Sequence, residues 1–403
     1  MMLRPVLLLL LAALLSSEAP YAADGRCDGY PRVSLLTSKG SCVGLVAAGL
    51  GFPRGVAAVG EDLFITDLGS WEPGHGRLLR LSPGERVASV VIDRLDRPGA
   101  IVADARGRLI VALAGKVVRI DPKAADPAAA MVTLMTGIPS DGRHNLPGLL
   151  LDRKGGLLVS IGSASDNCEG RGGARPPPDR PCAELSGRPP RASHLYIAKG
   201  QPLPVDAPSA AVFATGMRNT LALAEAPYGT ILAASNGRDA IDQADPKLAD
   251  ARFPHDVLLR VHRGSRFDWP YCFDLGRPSP EFPKADCKRF DAPAMLLPPH
   301  AAPLSMLVYR GERLRGLKGK LLIAFHGYRA AGHRLVSLPI DRSGRPIGAL
   351  RDIVSGWKAV TGLRPQGAPV ALLELADGSV LIVEDHNGTL LRLSSDRPAR
   401  TAR

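Results

Sequence analysis

The sequence predicts an all-β chain folded as a six-bladed β-propeller, and three observations carry that prediction. A module made of an apolar strand, a tight turn with Gly or Asp and a second apolar strand recurs six times. Several modules continue through another short turn into a third strand, so the repeated unit is a meander rather than a hairpin. Long amphipathic helical stretches and alternating βα units are lacking, which excludes doubly wound and α/β-barrel architectures. The composition agrees: of 403 residues, 45% are hydrophobic and 22% charged, enough for a sizeable core, while 43 Gly and 36 Pro mark a turn-rich chain. Disordered and collagen-like classes are excluded.

The elements follow in order. Residues 1–23 read as a secretory signal peptide: Arg4 precedes the apolar run Pro5 to Leu15, and small and polar residues follow it. That run is roughly half of what a bilayer-spanning helix needs, so no membrane span is expected after cleavage. Residues 24–403 then form a single propeller domain, with a disordered tail expected at about 396–403. The six modules are PRGVAAVGEDLFITD from Pro53, RPGAIVADARGRLIVAL from Arg97, LPGLLLDRKGGLLVSIG from Leu146, TLALAEAPYGTILAASNG from Thr220, PLSMLVYRGERLRGLKGKLLIAFHG from Pro303 and APVALLELADGSVLIVEDHNG from Ala368. Third strands are expected at 76–83, 115–122, 193–199, 333–341 and 388–395. The Pro- and Arg-rich interruption from Asn167 to Arg191 is bracketed by Cys168 and Cys182 and reads as a stapled surface loop.

Cysteine usage points to an oxidising compartment. Cys27 with Cys42, Cys168 with Cys182 and Cys272 with Cys287 fall into local couples at separations of 15, 14 and 15, without any CxxC or CxxCH. Three local disulfides fit this better than a zinc ribbon, a thioredoxin-like site or covalent haem, and the expected location is the periplasm or the exterior. The formal charge of +12 survives removal of the leader, which takes away Arg4 and Glu18 together. For an exported protein this charge suits an anionic cofactor, an acidic redox partner or an anionic surface, or simply a solvated basic exterior. Nucleic acid is not expected, because the basic residues lack an interleaved aromatic platform.

In a propeller the innermost strand of each blade lines a central channel, and the residues just before it gather at one mouth. Those residues are Arg54, Arg97, His144, Arg218 with Asn219, His300, and Arg364 with Gln366. Cations and imidazoles from most blades predict a basic, hydrogen-bonding pocket for an anionic ligand, the alternative being that some of them cap strand ends. His144 is the candidate general base, since a neutral imidazole among cations has its pKa pushed down. The segment SNGRDAID, Ser235 to Asp242, follows the second strand of the fourth module. Its backbone carbonyls with Asp239 or Asp242 could ligate Ca²⁺ through oxygen, or the segment could be a plain turn.

Taken in order, HNLPGLLLDRKGGLLVSIGSASDN, RASHLYI, FATGMRNTLALA, SNGRDAID, FDWPYCF, PPHAAPLSMLVY and the Gly-rich last module resemble the glucose/sorbosone dehydrogenase family. These are soluble sugar dehydrogenases that use pyrroloquinoline quinone (PQQ) on a six-bladed propeller, and the resemblance runs from about Gly51 to Leu393. It implies hydride transfer from a sugar, sugar alcohol or aldehyde to PQQ, with electrons passed on to an external acceptor. His144 would take the substrate hydroxyl proton. Arg218, Asn219, Asn236, Arg54, Arg97 and His300 would form the cofactor set, and the carbonyls of Gly237 and Arg238 would hold Ca²⁺. The chain departs from the family where relatives read PDELNRV, having HDVLLRV with Val257 and Leu259, and where Pro147 replaces an Arg often found three residues after the base. Two other readings stay open: a non-catalytic or degenerate propeller that binds a ligand or protein, favoured by Val257 and Leu259, and a metal-dependent lactonase, kept in view by Glu384, Asp385 and His386.

Overall fold

The computed structural model describes residues 22–169, 180–357 and 368–396. Most of the expected leader and the tail beyond 396 lie outside the described residues, as do Arg364 and Gln366; Ala22 and Ala23 begin a strand, Ala22–Cys27. Six blades built on antiparallel meanders are present, as expected, each starting from one of the six modules, and those of the second and third modules gain a short parallel edge strand. Their innermost strands are Pro53–Val59, Ile101–Ala103, Leu149–Leu151, Ala222–Glu225, Pro303–Val308 and Pro369–Glu374, and these number blades I to VI. The second strands of blades II to VI, Leu109–Leu113, Leu157–Ile161, Ile231–Ser235, Leu321–Phe325 and Val380–Glu384, are buried along their whole length. Each is covered on both faces by neighbouring blades, so the sequence there is mainly apolar rather than alternating, with Ser160, Ser235 and Glu384 as the polar members. Apolar clusters fill the wedges between blades, and burying each large side chain contributes about 1.5–3 kcal/mol.

Two features went unread in the sequence. The third strand of blade IV is His255–Val261, hidden because the loop 236–254 separates it from its module. Ring closure joins the two ends of the chain: Ser41–Ala47 pairs antiparallel with Thr389–Ser395 and becomes the fourth strand of blade VI. Closure of this kind leaves no open wedge between first and last blades. The disulfides are those expected, Cys27–Cys42, Cys168–Cys182 and Cys272–Cys287, and the first clamps the added N-terminal hairpin to the closing strand.

The strand register decides where a site can form. Pro53 pairs with Asp67, Pro303 with Phe325 and Pro369 with Glu384, so an inner strand begins at the end where the second strand of its blade finishes. Linkers leading into inner strands and loops leaving second strands therefore gather at one end of the ring. The axial cavity below that end, about 190 Å³, is lined by Arg54 and mostly apolar side chains such as Ile101, Leu146, Leu223 and Met306.

Candidate active site at the loop end of the propeller

A cavity of about 340 Å³ opens among these loops, within the range of small-ligand sites. It is lined by His144, Arg218, Asn236, Gly237, Asp239 and His300, all singled out in the sequence, and by Asp256, His326, Tyr328 and Arg329. A larger groove of about 720 Å³ lies among hairpin turns that include Asp104–Arg108 and Asp152–Gly155, and none of the candidate residues lines it.

His144 sits in the linker into blade III. Its Nδ1 lies 2.9 Å from Ser163 Oγ and 3.2 Å from the Ser163 carbonyl. Ser163 Oγ–H donates to the Ser165 carbonyl at 2.7 Å, and the Ser163 carbonyl can only accept. Nδ1 therefore carries the proton, which leaves the lone pair on Nε2. Burial, then Arg218 and Arg143, push the His144 pKa down to about 3, so the ring is neutral across the working range. The backbone behind it needs glycine: a Cβ on Gly162 would stand 2.4 Å from His144 Cβ and 2.5 Å from its carbonyl oxygen.

Arg218 lines the cavity, yet its donors are already engaged. Nε donates to the Asp166 carbonyl at 2.9 Å, Nη1 to the Gly237 carbonyl at 2.7 Å, and Nη2 to the Asp166 carboxylate. Asp239 Oδ2 lies 3.4 Å from the same Nη2. The guanidinium is thus the hub that ties the loop after blade III's second strand to the one after blade IV's. Asn219 reaches the site through its backbone, its carbonyl accepting the Asn236 N–H at 3.0 Å. Asn236 lines the cavity, and its buried Oδ1 has no hydrogen-bond partner among the described residues. Such an orphaned acceptor costs about 1–3 kcal/mol and marks a place where a ligand donor would fit.

The loop beyond is held by two acids. Gly237 N–H donates to Asp256 Oδ1 at 2.7 Å, and Ala302 N–H to Asp256 Oδ2 at 2.6 Å. Burial outweighs these bonds and pushes the Asp256 pKa up to about 6. Asp239 receives Arg143 at 3.0 Å and lies 3.5 Å from His300 Nδ1; the bond from His300, against some burial, holds it well below the usual carboxylate range. His300 Nε2 donates to the Asp250 carbonyl at 2.7 Å, and although burial opposes its charged form, these partners hold its pKa above the ordinary value.

Other candidates fall elsewhere. The Arg238 side chain is buried against Glu281, at 2.5 Å, and lines a small adjoining pocket that shares Arg218, Asn236 and Gly237 with this cavity. Arg97 pairs with Asp96 at 2.9 Å and does not line the cavity. Arg54 stands at the axial cavity and pairs with buried Asp385 at 2.5 Å. Val257 and Leu259 pack into the apolar wedge with Met217, Leu223 and Phe267 and line a small pocket that shares Arg218, Asn236 and Gly237 with the His144 cavity, while the cavity itself is lined by neither. Pro147 lines the axial cavity. Of the three residues that keep a lactonase in view, Glu384 is fully buried and bonded by Asn387 and Thr389, while Asp385 pairs with Arg54 and His326. His326, Tyr328 and Arg329 went unread, although LLIAFHGYR carries them directly after a second strand, where the same offset argument applies.

The oxygen donors fit a hard cation in part. The Gly237 carbonyl and the Asp239 carboxylate border the cavity, while Arg218 already uses one lone pair of that carbonyl. Asn236, His300, Tyr328 and Arg329 suit an anionic, hydrogen-bonding ligand.

No family model and no curated protein matches the chain. Solved structures do. The PQQ domain of pyranose dehydrogenase from Coprinopsis cinerea, in a holo form, superposes with a TM-score of 0.72 at 21% identity, over 91% of this chain and 99% of that one. The PQQ-bound aldose sugar dehydrogenase from Streptomyces coelicolor gives 0.61 at 16%, over 89% and 99%. The soluble aldose sugar dehydrogenase from Escherichia coli, in an apo form, gives 0.61 at 14%, over 88% and 99%. At these identities the likeness establishes a shared propeller fold.

Proposed function

We propose that this chain is an exported PQQ-dependent dehydrogenase of the glucose/sorbosone dehydrogenase family, oxidising a sugar, sugar alcohol or sugar aldehyde and passing the electrons to an external acceptor. The observation that carries the reading is His144: a neutral imidazole, its Nδ1 proton committed to Ser163, facing a cavity at the loop end of a propeller shared with PQQ-bound sugar dehydrogenases. Export is supported by the apolar leader and by three disulfides.

Asn236, His300, Tyr328 and Arg329 would hold PQQ, and the Gly237 carbonyl with Asp239 would hold Ca²⁺. Bound PQQ would supply the acceptor for a hydride. The protein's own part is proton removal and orientation. His144 Nε2 accepts the substrate hydroxyl proton, and Ser163 fixes the ring so that this nitrogen, not Nδ1, is the base. A pKa near 3 makes the His144 ring by itself a weak base. An anion bound among Arg218, Arg143 and Arg329 would offset those cations and raise His144 toward the working pH. Asp256 fixes the loop through the Gly237 and Ala302 amides, and Arg218 fixes it through the Gly237 carbonyl.

A second reading, a propeller that binds a ligand without turning it over, is favoured by one observation: Arg218 and the Gly237 carbonyl already satisfy each other. Optical titration of the mature protein with PQQ, with and without Ca²⁺, separates the two. Calcium-dependent binding followed by reduction with aldoses or sugar alcohols supports the dehydrogenase; binding without reduction by any of them supports the second reading.

A further inference from the structure

We propose that His326, Asp385 and His386 form a binding site for a first-row transition-metal dication, coordinated by two imidazoles and one carboxylate at the wall of the cavity. The three donors come from the loops leaving the second strands of blades V and VI, one or two residues past Phe325 and Glu384, where buried strands fix the backbone. Their ligand atoms all lie within 4.8 Å of one another. His326 Nε2 is 2.9 and 3.1 Å from the two Asp385 oxygens, and His386 Nε2 is 4.0 Å from Oδ1. Ligands bonded to one ion at about 2.0–2.2 Å stand roughly 3–4 Å apart, so small side-chain rotations bring the set onto a single ion.

The surroundings supply the outer shell that such a site needs. Arg54 Nη1 holds Asp385 Oδ2 at 2.5 Å, which fixes the carboxylate and leaves Oδ1 toward the two imidazoles. At 4.0 Å His386 Nε2 is beyond hydrogen-bond distance of the Asp385 carboxylate, and its field favours the charged form of that carboxyl. Tyr328 Oη shares a hydrogen bond with His386 Nε2 at 3.0 Å and would turn to a metal-bound water when the ion enters. Two nitrogens and one oxygen select zinc and its neighbours over Ca²⁺, whose ligands are oxygens, so this site is chemically distinct from the loop at Gly237. His326 and Tyr328 line the cavity, so the remaining coordination positions are open to water or to an anionic oxygen of a bound ligand.

The proposal does not depend on the dehydrogenase reading and is tested without PQQ. Calorimetric titration of the chelator-treated mature protein with Zn²⁺ should show one ion bound per chain. His386→Ala should weaken it by more than the roughly 10- to 100-fold that loss of an outer-shell partner costs. An absence of Zn²⁺ binding by the parent protein, or an unchanged affinity in a folded His386→Ala variant, overturns the site. Should that variant lose its melting transition, Co²⁺ added to the unmodified protein decides. Intense visible bands of a four- or five-coordinate ion uphold the site, and the weak bands of a six-coordinate aquo-like ion overturn it.

Discussion

In the proposed dehydrogenase His144 would divide the work between its two nitrogens, and that division has measurable consequences. His144→Ala should cut turnover by about two to four decades while PQQ retention stays unchanged, measured by steady-state kinetics beside optical titration. Without PQQ the ring stays neutral down to about pH 3, so NMR titration of the cofactor-free protein should show no His144 transition at the ordinary value near 6.5, and the acid limb of kcat/KM in the PQQ-loaded protein should lie above pH 3. Asp268 offers a stability test. Burial, reinforced by Asp274, pushes its pKa up to about 7. A raised folded-state value means that the native protein keeps a proton which the unfolded chain releases at about 4, so this group's contribution is full below pH 4 and is lost as the pH rises through 7. Asp268→Asn should therefore raise stability at pH 8 and make little difference at pH 4, as read by urea unfolding at both. Individual residues were the hardest part to read in the sequence. His144, Arg218, Asn236 and His300 were found because each precedes an inner strand or follows a second one. What the chain could not disclose was where their hydrogens go: that Ser163 sets the tautomer, and that Arg218 spends its donors on Asp166 and Gly237, depends on contacts between blades.

At the scale of the element, the second strand of blade III ends at Ile161, and Gly162 lets the linker bearing His144 lie directly against it. Gly162→Ala should displace the imidazole and lower turnover while leaving the fold in place, checked by kinetics and by an unchanged circular dichroism spectrum. The closing strand Ser41–Ala47 is pinned by Cys27–Cys42, which spans 15 residues, so replacing both cysteines with Ser should cost about 3 kcal/mol of stability in denaturant unfolding. Inner and second strands were legible because burial on both faces writes LIVAL and LLIAF as unbroken apolar runs and LLVSI with a single Ser160. The third strand of blade IV was not, because HDVLLRV lies beyond a long loop and was read only as a departure from relatives. Its Val257 and Leu259 turn out to serve the wedge between blades III and IV.

For the whole molecule, the six modules gave the blade count, but nothing local in SCVGLVA says that it completes the last blade. Ring closure is a pairing across more than 340 residues, and only the assembled ring supplies the partner. The same ring turns short sequence offsets into a site by gathering the loops of all blades at one end, which is why position relative to a strand was more informative than residue type. Arg54 and Arg97 show the limit of that rule, since their charges are spent on Asp385 and Asp96. The central claim is that a sugar is oxidised in the cavity of His144, and it is tested most directly by single turnover. The protein is loaded with PQQ and Ca²⁺, mixed with an aldose without any external acceptor, and followed optically beside His144→Ala. Stoichiometric reduction of the quinone by the parent protein, slowed by about two to four decades in the variant, is the predicted result. Equal rates in the two proteins, or no reduction by any sugar in a protein that has bound the cofactor, would contradict the account.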